Sequence, residues 1–209
     1  MREEVKSAAL RQLAEGGAPA LSLNAIAKEL GVSGPALYRY FANRDALLTE
    51  LIIDAYGDLA AALAAAAGDR GSEVLAGVYR GWAQAQPHRY RLLFSAPLPG
   101  FDPHDQRIVL ASHEAMVPLL RTTTSSPVGD EAAGQEAAGP ELDAALAGQL
   151  SRWSVRVPPG TVTDPAVALR AVMVWSRMHG FVSLEIEGNF ASMGLDPDAL
   201  FAELLRSLR

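Results

Sequence analysis

Apolar residues recur at helical spacing along almost all of this 209-residue chain, and that regularity restricts the fold more than any other feature. Steps of three and four residues put side chains on one face of a helix, whereas strands need alternation. Alternating runs are nearly absent, so the chain reads as all-α. Helix 1 covers about 2–15, with Val5, Ala9 and Leu13 on one face, and stops at Gly16-Gly17. Ser22 is a suitable N-cap for a second helix ending at Gly31, and Ser33 for a third, with Pro35 in its first turn where a missing N–H costs little. Asn43 can cap a fourth, which carries Leu47, Leu48, Leu51, Ile52 and Ala55 and reaches toward the alanine-rich run at 60–67.

Further helices are expected from Ser72 to just before Pro87, over roughly 87–95, from near Pro103 onward, and at about 141–153. Pro118 should kink or end the third of these. The stretch TTTSSPVGDEAAGQEAAGP at 122–140 is small, polar and acidic, and reads as a flexible excursion; PPG at 158–160 reads as a turn. Two helices close the chain. Asp164 and Pro165 open one running to about Glu187, and Asp196 and Pro197 open the other, striped with Leu200, Phe201, Leu204, Leu205 and Leu208. The first carries Val167, Leu169, Val172, Met173, Val174, Trp175, Met178, Phe181, Val182, Leu184 and Ile186 around much of its circumference. A helix apolar on nearly all sides must be buried on nearly all sides. Its own domain can cover one side, and a second subunit is the simplest cover for the other. A homodimer through the helices at about 164–187 and 196–208 is therefore expected.

Several function classes fall away. With no cysteine there is no disulfide framework, thiolate zinc site or cysteine nucleophile. GVSG at 31–34 has its last glycine one place early for a nucleophile elbow. His113-Glu114 lacks a second histidine at 117 for a metalloprotease helix. His104 with Asp102 and Asp105 reads as a solvated loop rather than a metal site, and no phosphate-loop or dinucleotide fingerprint occurs. No enzyme, cofactor or metal is expected. The start, MREEVKSAALRQL, lacks the apolar core of a secretory leader. No run of about 18 residues is free of charge, so no membrane span is expected and the cytoplasm is the default compartment.

Residues 22–41 have the layout of a helix-turn-helix. Two short crossing helices want a small residue at the crossing, which Ala27 supplies, and a left-handed residue four positions on, which Gly31 supplies. Ile26, Leu30, Val32 and Leu37 can pin the second helix from inside. Its outward face is then Gly34, Pro35, Ala36, Tyr38, Arg39 and Tyr40. Small residues let a helix end approach base edges, and tyrosine hydroxyls can donate to phosphates. The net charge of −6 looks wrong for DNA, but its distribution does not. Residues 1–50 hold six Lys/Arg and six Asp/Glu, whereas 51–209 hold twelve Arg and eighteen acids. Within 24–44, Lys28, Arg39 and Arg44 face Glu29 alone. Affinity for DNA follows the basic charge near phosphates, and distant acids are screened beyond about 10 Å at ordinary salt.

The run LYRYFANRDALL at 37–48, with LSLNAIAKELGVSGPALYRYF before it, resembles the TetR family of regulators over residues 1–50. The resemblance implies that Ser22 and Asn24 reach phosphates. It implies that Ser33, Gly34, Pro35 and Ala36 face the DNA, the last three at base edges. Tyr38 and Tyr40 would contact the backbone with Arg39 near it, Phe41 would be a structural plug, and Arg44 would touch phosphate. Asn24 departs from the basic residue often found there, so a weaker phosphate contact is expected. Residues 1–46 would form the DNA-binding domain and 47–209 a ligand-binding and dimerisation domain. VWSRMHGFVSLE at 174–185 resembles the subgroup named for a Trp and a His-Gly pair, here Trp175, His179 and Gly180. Trp175 and His179 share one helical face, and Gly180 is read as permitting close helix approach.

The implied partners are a double-stranded, palindromic operator and a small, mainly apolar effector, with repression the expected sign. Tyr79, Trp82, Phe94, His113, Met116, Trp153, Trp175 and His179 are candidate ligand contacts, against the alternative that they are plain core. Two other readings stay open: a regulator without a small-molecule effector, and a helical ligand-binding protein that does not act on DNA.

Overall fold

The structure, a computed structural model, describes residues 1–67, 71–94, 101–125, 142–154 and 164–208. Among these are eleven α-helices and no strand: α1 (Arg2–Gly16), α2 (Leu23–Glu29), α3 (Gly34–Tyr38), α4 (Arg44–Ala66), α5 (Gly71–Ala85), α6 (Pro87–Phe94), α7 (Gln106–Ser125), α8 (Ala144–Ser154), α9 (Pro165–Ile186), α10 (Asn189–Ser192) and α11 (Pro197–Arg206). The expected caps form. Ser22 Oγ accepts from the Ala25 N–H at 3.3 Å and Asn43 Oδ1 from that of Ala46 at 2.7 Å. Asp164 and Asp196 accept from the N–H two residues on, at 2.8 and 2.9 Å. Each satisfies a donor that the first helical turn leaves over. Ser33 holds the N-cap position of α3 without a side-chain bond.

Two expectations change. α7 starts at Gln106 rather than near Pro103, and it runs through Pro118 to Ser125 instead of ending there. Thr122 and Thr123, placed by sequence in the flexible excursion, belong to this helix and are buried. The Thr123 hydroxyl donates to the carbonyls of Leu119 and Leu120 at 3.1 and 3.0 Å, and both leucines are buried. Burial of this last stretch offsets the hydrogen bond that a proline removes. The rest of the expected excursion, 126–140, and the turn at 158–160 lie outside the described residues.

The chain divides into two compact units, Met1–Asp58 with Gln86–Ser112, and Leu59–Ala85 with His113–Arg209. The first unit is thus larger than the expected 1–46 domain. Val5, Ala8, Ala9 and Leu13 of α1 join Leu23, Ile26 and Ala27 of α2, Leu37 of α3, Phe41, and Leu47, Leu48, Leu51 and Ile52 of α4 in one core, which also takes Ile108 of α7. A break at 46/47 would cut through that core. The α1 end is tight: a Cβ at Gly16 would stand 2.6 Å from the Ala20 Cβ, closer than two carbons can sit.

In the second unit, α9 buries Val167, Ala168, Ala171, Met178 and Val182 and leaves Met173 and Leu184 exposed. One side of the helix is therefore covered by its own chain, as its all-round apolar pattern implied, and one side is not. Among the described residues, a Cβ at Gly180 would meet no atom within 4 Å, so no described helix approaches closely there, contrary to expectation. Arg80 of α5 clamps the last helices. Its guanidinium meets the Glu185 carboxylate at 2.8 and 2.5 Å and Asp198 at 2.7 Å, and it lies over the Phe201 ring at 4.6 Å.

Candidate nucleic-acid interface

Ser22 ends an extended stretch and its side chain starts α2, while its N–H donates to Gln12 Oε1 of α1 at 2.9 Å. Sequence reading missed Gln12, because nothing in a helix pattern says that a polar residue on α1 will receive the start of α2. α2 stops at Glu29, two residues before Gly31. The turn then closes with the Val32 N–H donating to the Ala27 carbonyl at 3.0 Å. Gly31 has φ 65°, and a Cβ there would meet nothing within 4 Å. Glycine is needed at this turn for its backbone conformation rather than for space.

α3 follows with its inner side anchored and its outer side free. Leu37 is 1% exposed and Phe41 2% exposed, so both sit in the core as expected. Tyr38 is 47% exposed and Tyr40 42%, and Ser33, Pro35 and Arg39 are exposed too. Gly34 and Ala36 are half-buried. The Tyr38 and Tyr40 hydroxyls make no hydrogen bond among the described residues. Large half-exposed aromatics on a short helix gain little from folding, so their placement asks for an external partner.

Charge is arranged to match. Glu29, the only acid within 24–44, is paired with Arg11 of α1 at 2.5 Å. Lys28 and Arg39 are exposed and form no ion pair among the described residues, which leaves the face locally positive. Asn24 is exposed on α2. Arg44 is placed otherwise than a phosphate-reaching side chain: it is half-buried, and its guanidinium donates to the Ala18 carbonyl.

The candidate ligand residues divide between the units. Phe94 lies in the first, edge-on to Tyr56 and 5.1 Å from Tyr90. Tyr79, Trp82, His113, Met116, Trp153, Trp175 and His179 lie in the second. There the Tyr79 hydroxyl and His179 Nδ1 are hydrogen-bonded at 3.0 Å. Trp175 stacks on the His179 ring at 5.7 Å and packs on Tyr79 at 5.0 Å. Burial holds the His179 pKa below its ordinary value, so the ring is neutral at pH 7. His113 Nδ1 and Thr122 Oγ1, both on α7, are buried without a hydrogen-bond partner among the described residues.

A helix-turn-helix with an open, basic recognition side matches what known proteins show. Residues 7–51 match the family model described as bacterial regulatory proteins, tetR family, and residues 72–208 match that of the tetracyclin repressor-like C-terminal domain. The chain belongs to the TetR family. The second match spans Trp175, His179 and Gly180. Two relatives, the HTH-type transcriptional regulators Mb1846 of Mycobacterium bovis and Rv1816 of Mycobacterium tuberculosis, are each 33% identical over 95% of this chain and 86% of theirs. The solved structure of SCO4313, described as a regulatory protein, is 40% identical with a TM-score of 0.79, covering 99% of this chain and 94% of that one. The protein is thus a TetR-family DNA-binding transcriptional regulator. Among the described residues, no helix is long and apolar enough to cross a membrane, and no three His, Asp or Glu side chains are grouped to hold a metal ion.

Proposed function

We propose that this TetR-family protein is a repressor that binds a palindromic operator as a homodimer and is released by a small, mainly apolar effector. The observation that carries the DNA part is the two-sided character of α3 and the three residues after it: Leu37 and Phe41 buried, Tyr38, Arg39 and Tyr40 presented outward. In this reading Gly34, Pro35 and Ala36 face base edges, and Ser22, Asn24, Ser33, Tyr38, Arg39 and Tyr40 meet the backbone. Arg44 acts by holding the Ala18 carbonyl beneath them unless it exchanges that bond for a phosphate. Homodimerisation is supported by the uncovered side of α9, where Met173, Gly180 and Leu184 lie exposed at steps of seven and four. A close approach at Gly180 is then made by the other subunit.

Effector binding is supported by His113 Nδ1 and Thr122 Oγ1, because buried polar atoms without partners are what a ligand's polar group can satisfy. Helix α4 supplies residues to both units, so a ligand that favours one tilt of α4 changes the spacing of the two recognition helices. Release follows only if the ligand binds the two spacings unequally. A second reading, a regulator that answers to no small molecule, is favoured by one observation: Tyr79 and His179 are already bonded to each other and Trp175 packs on both rings.

Selection of bound duplexes from a random DNA pool tests the DNA part. Enrichment of an inverted repeat is expected, and enrichment of a site without dyad symmetry contradicts the dimeric operator. A thermal-shift screen of hydrophobic compounds, followed by DNA release assays with those that stabilise the protein, separates the two readings of the larger unit.

A further inference from the structure

We propose that Arg2 is a positioning residue for DNA recognition: it ties the Tyr40 carbonyl, where the chain leaves α3, to the Glu50 carboxylate of α4. The inference rests on the reading of α3 as the recognition helix. Arg2 Nη1 donates to the Tyr40 carbonyl at 3.0 Å, and Nη2 pairs with Glu50 at 3.0 Å. The same guanidinium lies 4.5 Å above the centre of the Phe41 ring. One rigid, planar fork therefore meets three groups at once, which an ammonium group cannot do.

The need for such a tie comes from the length of α3. Five residues give a helix with too few internal bonds to hold its own direction. The chain turns immediately afterwards, and the Tyr40 carbonyl there has to find a donor outside the helix. Arg2 supplies that donor, and its other end is fixed. Phe41 is buried beneath it. Glu50 is itself held by Arg107 at 3.4 Å and Lys6 at 3.9 Å, and Lys6 is anchored to Asp54 at 2.7 Å. The backbone at Tyr40 is thereby referenced to α4, and with it the outward rings of Tyr38 and Tyr40.

Arg2 is 45% exposed on its side chain, so the competing role is a direct phosphate contact. The two roles differ in salt dependence, because only a lost phosphate contact lowers the slope of log affinity against log salt. The test uses the full chain and a duplex enriched by the wild-type protein from random DNA, with affinities measured over a salt series. Arg2→Met should bind about five-fold more weakly with the slope unchanged. Arg2→Lys, which keeps the charge without the fork, should not restore affinity. Glu50→Gln should add little in the Arg2→Met background, since both break one link. Wild-type affinity for Arg2→Met overturns the proposal. So does a slope reduced by about one contact with rescue by lysine, or a melting midpoint lowered by more than about 5 °C, which makes Arg2 a stability residue. Tyr38→Ala on the same duplex separates the two failures. If it binds normally, the recognition-helix reading is wrong; if it binds weakly while Arg2→Met binds normally, only the positioning role is wrong.

Discussion

α3 and α9 place their candidate functional residues in opposite ways. On α3 and the turn after it, the side chains proposed to work, Tyr38, Arg39 and Tyr40, point out of the protein, and the anchors, Leu37 and the following Phe41, are different residues. On α9 the proposed ligand contacts Trp175 and His179 are part of the packing, with His179 bonded to a fully buried Tyr79. The difference teaches that recognition and stability are separable in the first unit and entangled in the second. Substitutions can break or sharpen that contrast.

The largest effect is expected at an anchor. Leu37→Ala should cost about 3 kcal/mol, because a fully buried leucine leaves both lost transfer energy and a cavity. Chemical denaturation followed by circular dichroism measures it. A loss below about 1 kcal/mol would mean that α3 is not pinned from inside. Next comes Arg80→Ala in the second unit, at about 2 kcal/mol, since among the described residues it strands the largely buried Glu185 carboxylate with only Gln84 left to bond it. Asp198→Ala, at the exposed end of the same clamp, should fall within about 0.5 kcal/mol of wild type. Equal losses for the two variants would overturn the assignment of Glu185 as the principal partner.

Tyr79→Phe should cost about 1 kcal/mol, the worth of one buried hydrogen bond, and it should also change any ligand response, which is the entanglement. The same cluster has an acid dependence. Burial depresses the folded-state pKa of His179 below the ordinary 6.5. The unfolded chain therefore takes up a proton first as pH falls through 6.5, and the stability from keeping the ring neutral is present above that pH and lost below it. His88, in the first unit, is shifted the same way by burial and by Arg89. His179→Gln should flatten part of the acid loss in a series of denaturation curves, and His88→Gln a further part. An unchanged curve for His179→Gln would show that its neutral form is not a requirement of the fold. The smallest effect is expected for Arg11→Ala, within about 0.5 kcal/mol, because its pair with Glu29 is exposed on both sides.

The contrast also explains what could be read before the structure. The helix-turn-helix is a local device: Ala27, Gly31 and Leu37 stand at fixed spacing within fifteen residues, so sequence carries it almost whole. Caps at Ser22, Asn43, Asp164 and Asp196 are equally local, and each forms. The interior of the larger unit depends on pairs about a hundred residues apart, such as Tyr79 with His179 and Arg80 with Glu185. Periodicity can place each partner on a helix face but cannot match one face with another. Arg2 escaped for the same reason, since its partners Tyr40 and Glu50 are distant in sequence. The helix runs through Pro118, against expectation, because proline's local cost is visible in sequence and the burial of Thr122 and Thr123 is not.

The central claim is that the outward face of α3 reads DNA while its inward face only holds it. The most direct measurement is the affinity of Tyr38→Ala for a duplex enriched by the wild-type protein, at matched salt, beside its melting midpoint. The account predicts binding weakened about ten-fold with the midpoint unchanged. Wild-type affinity with an unchanged midpoint would contradict it.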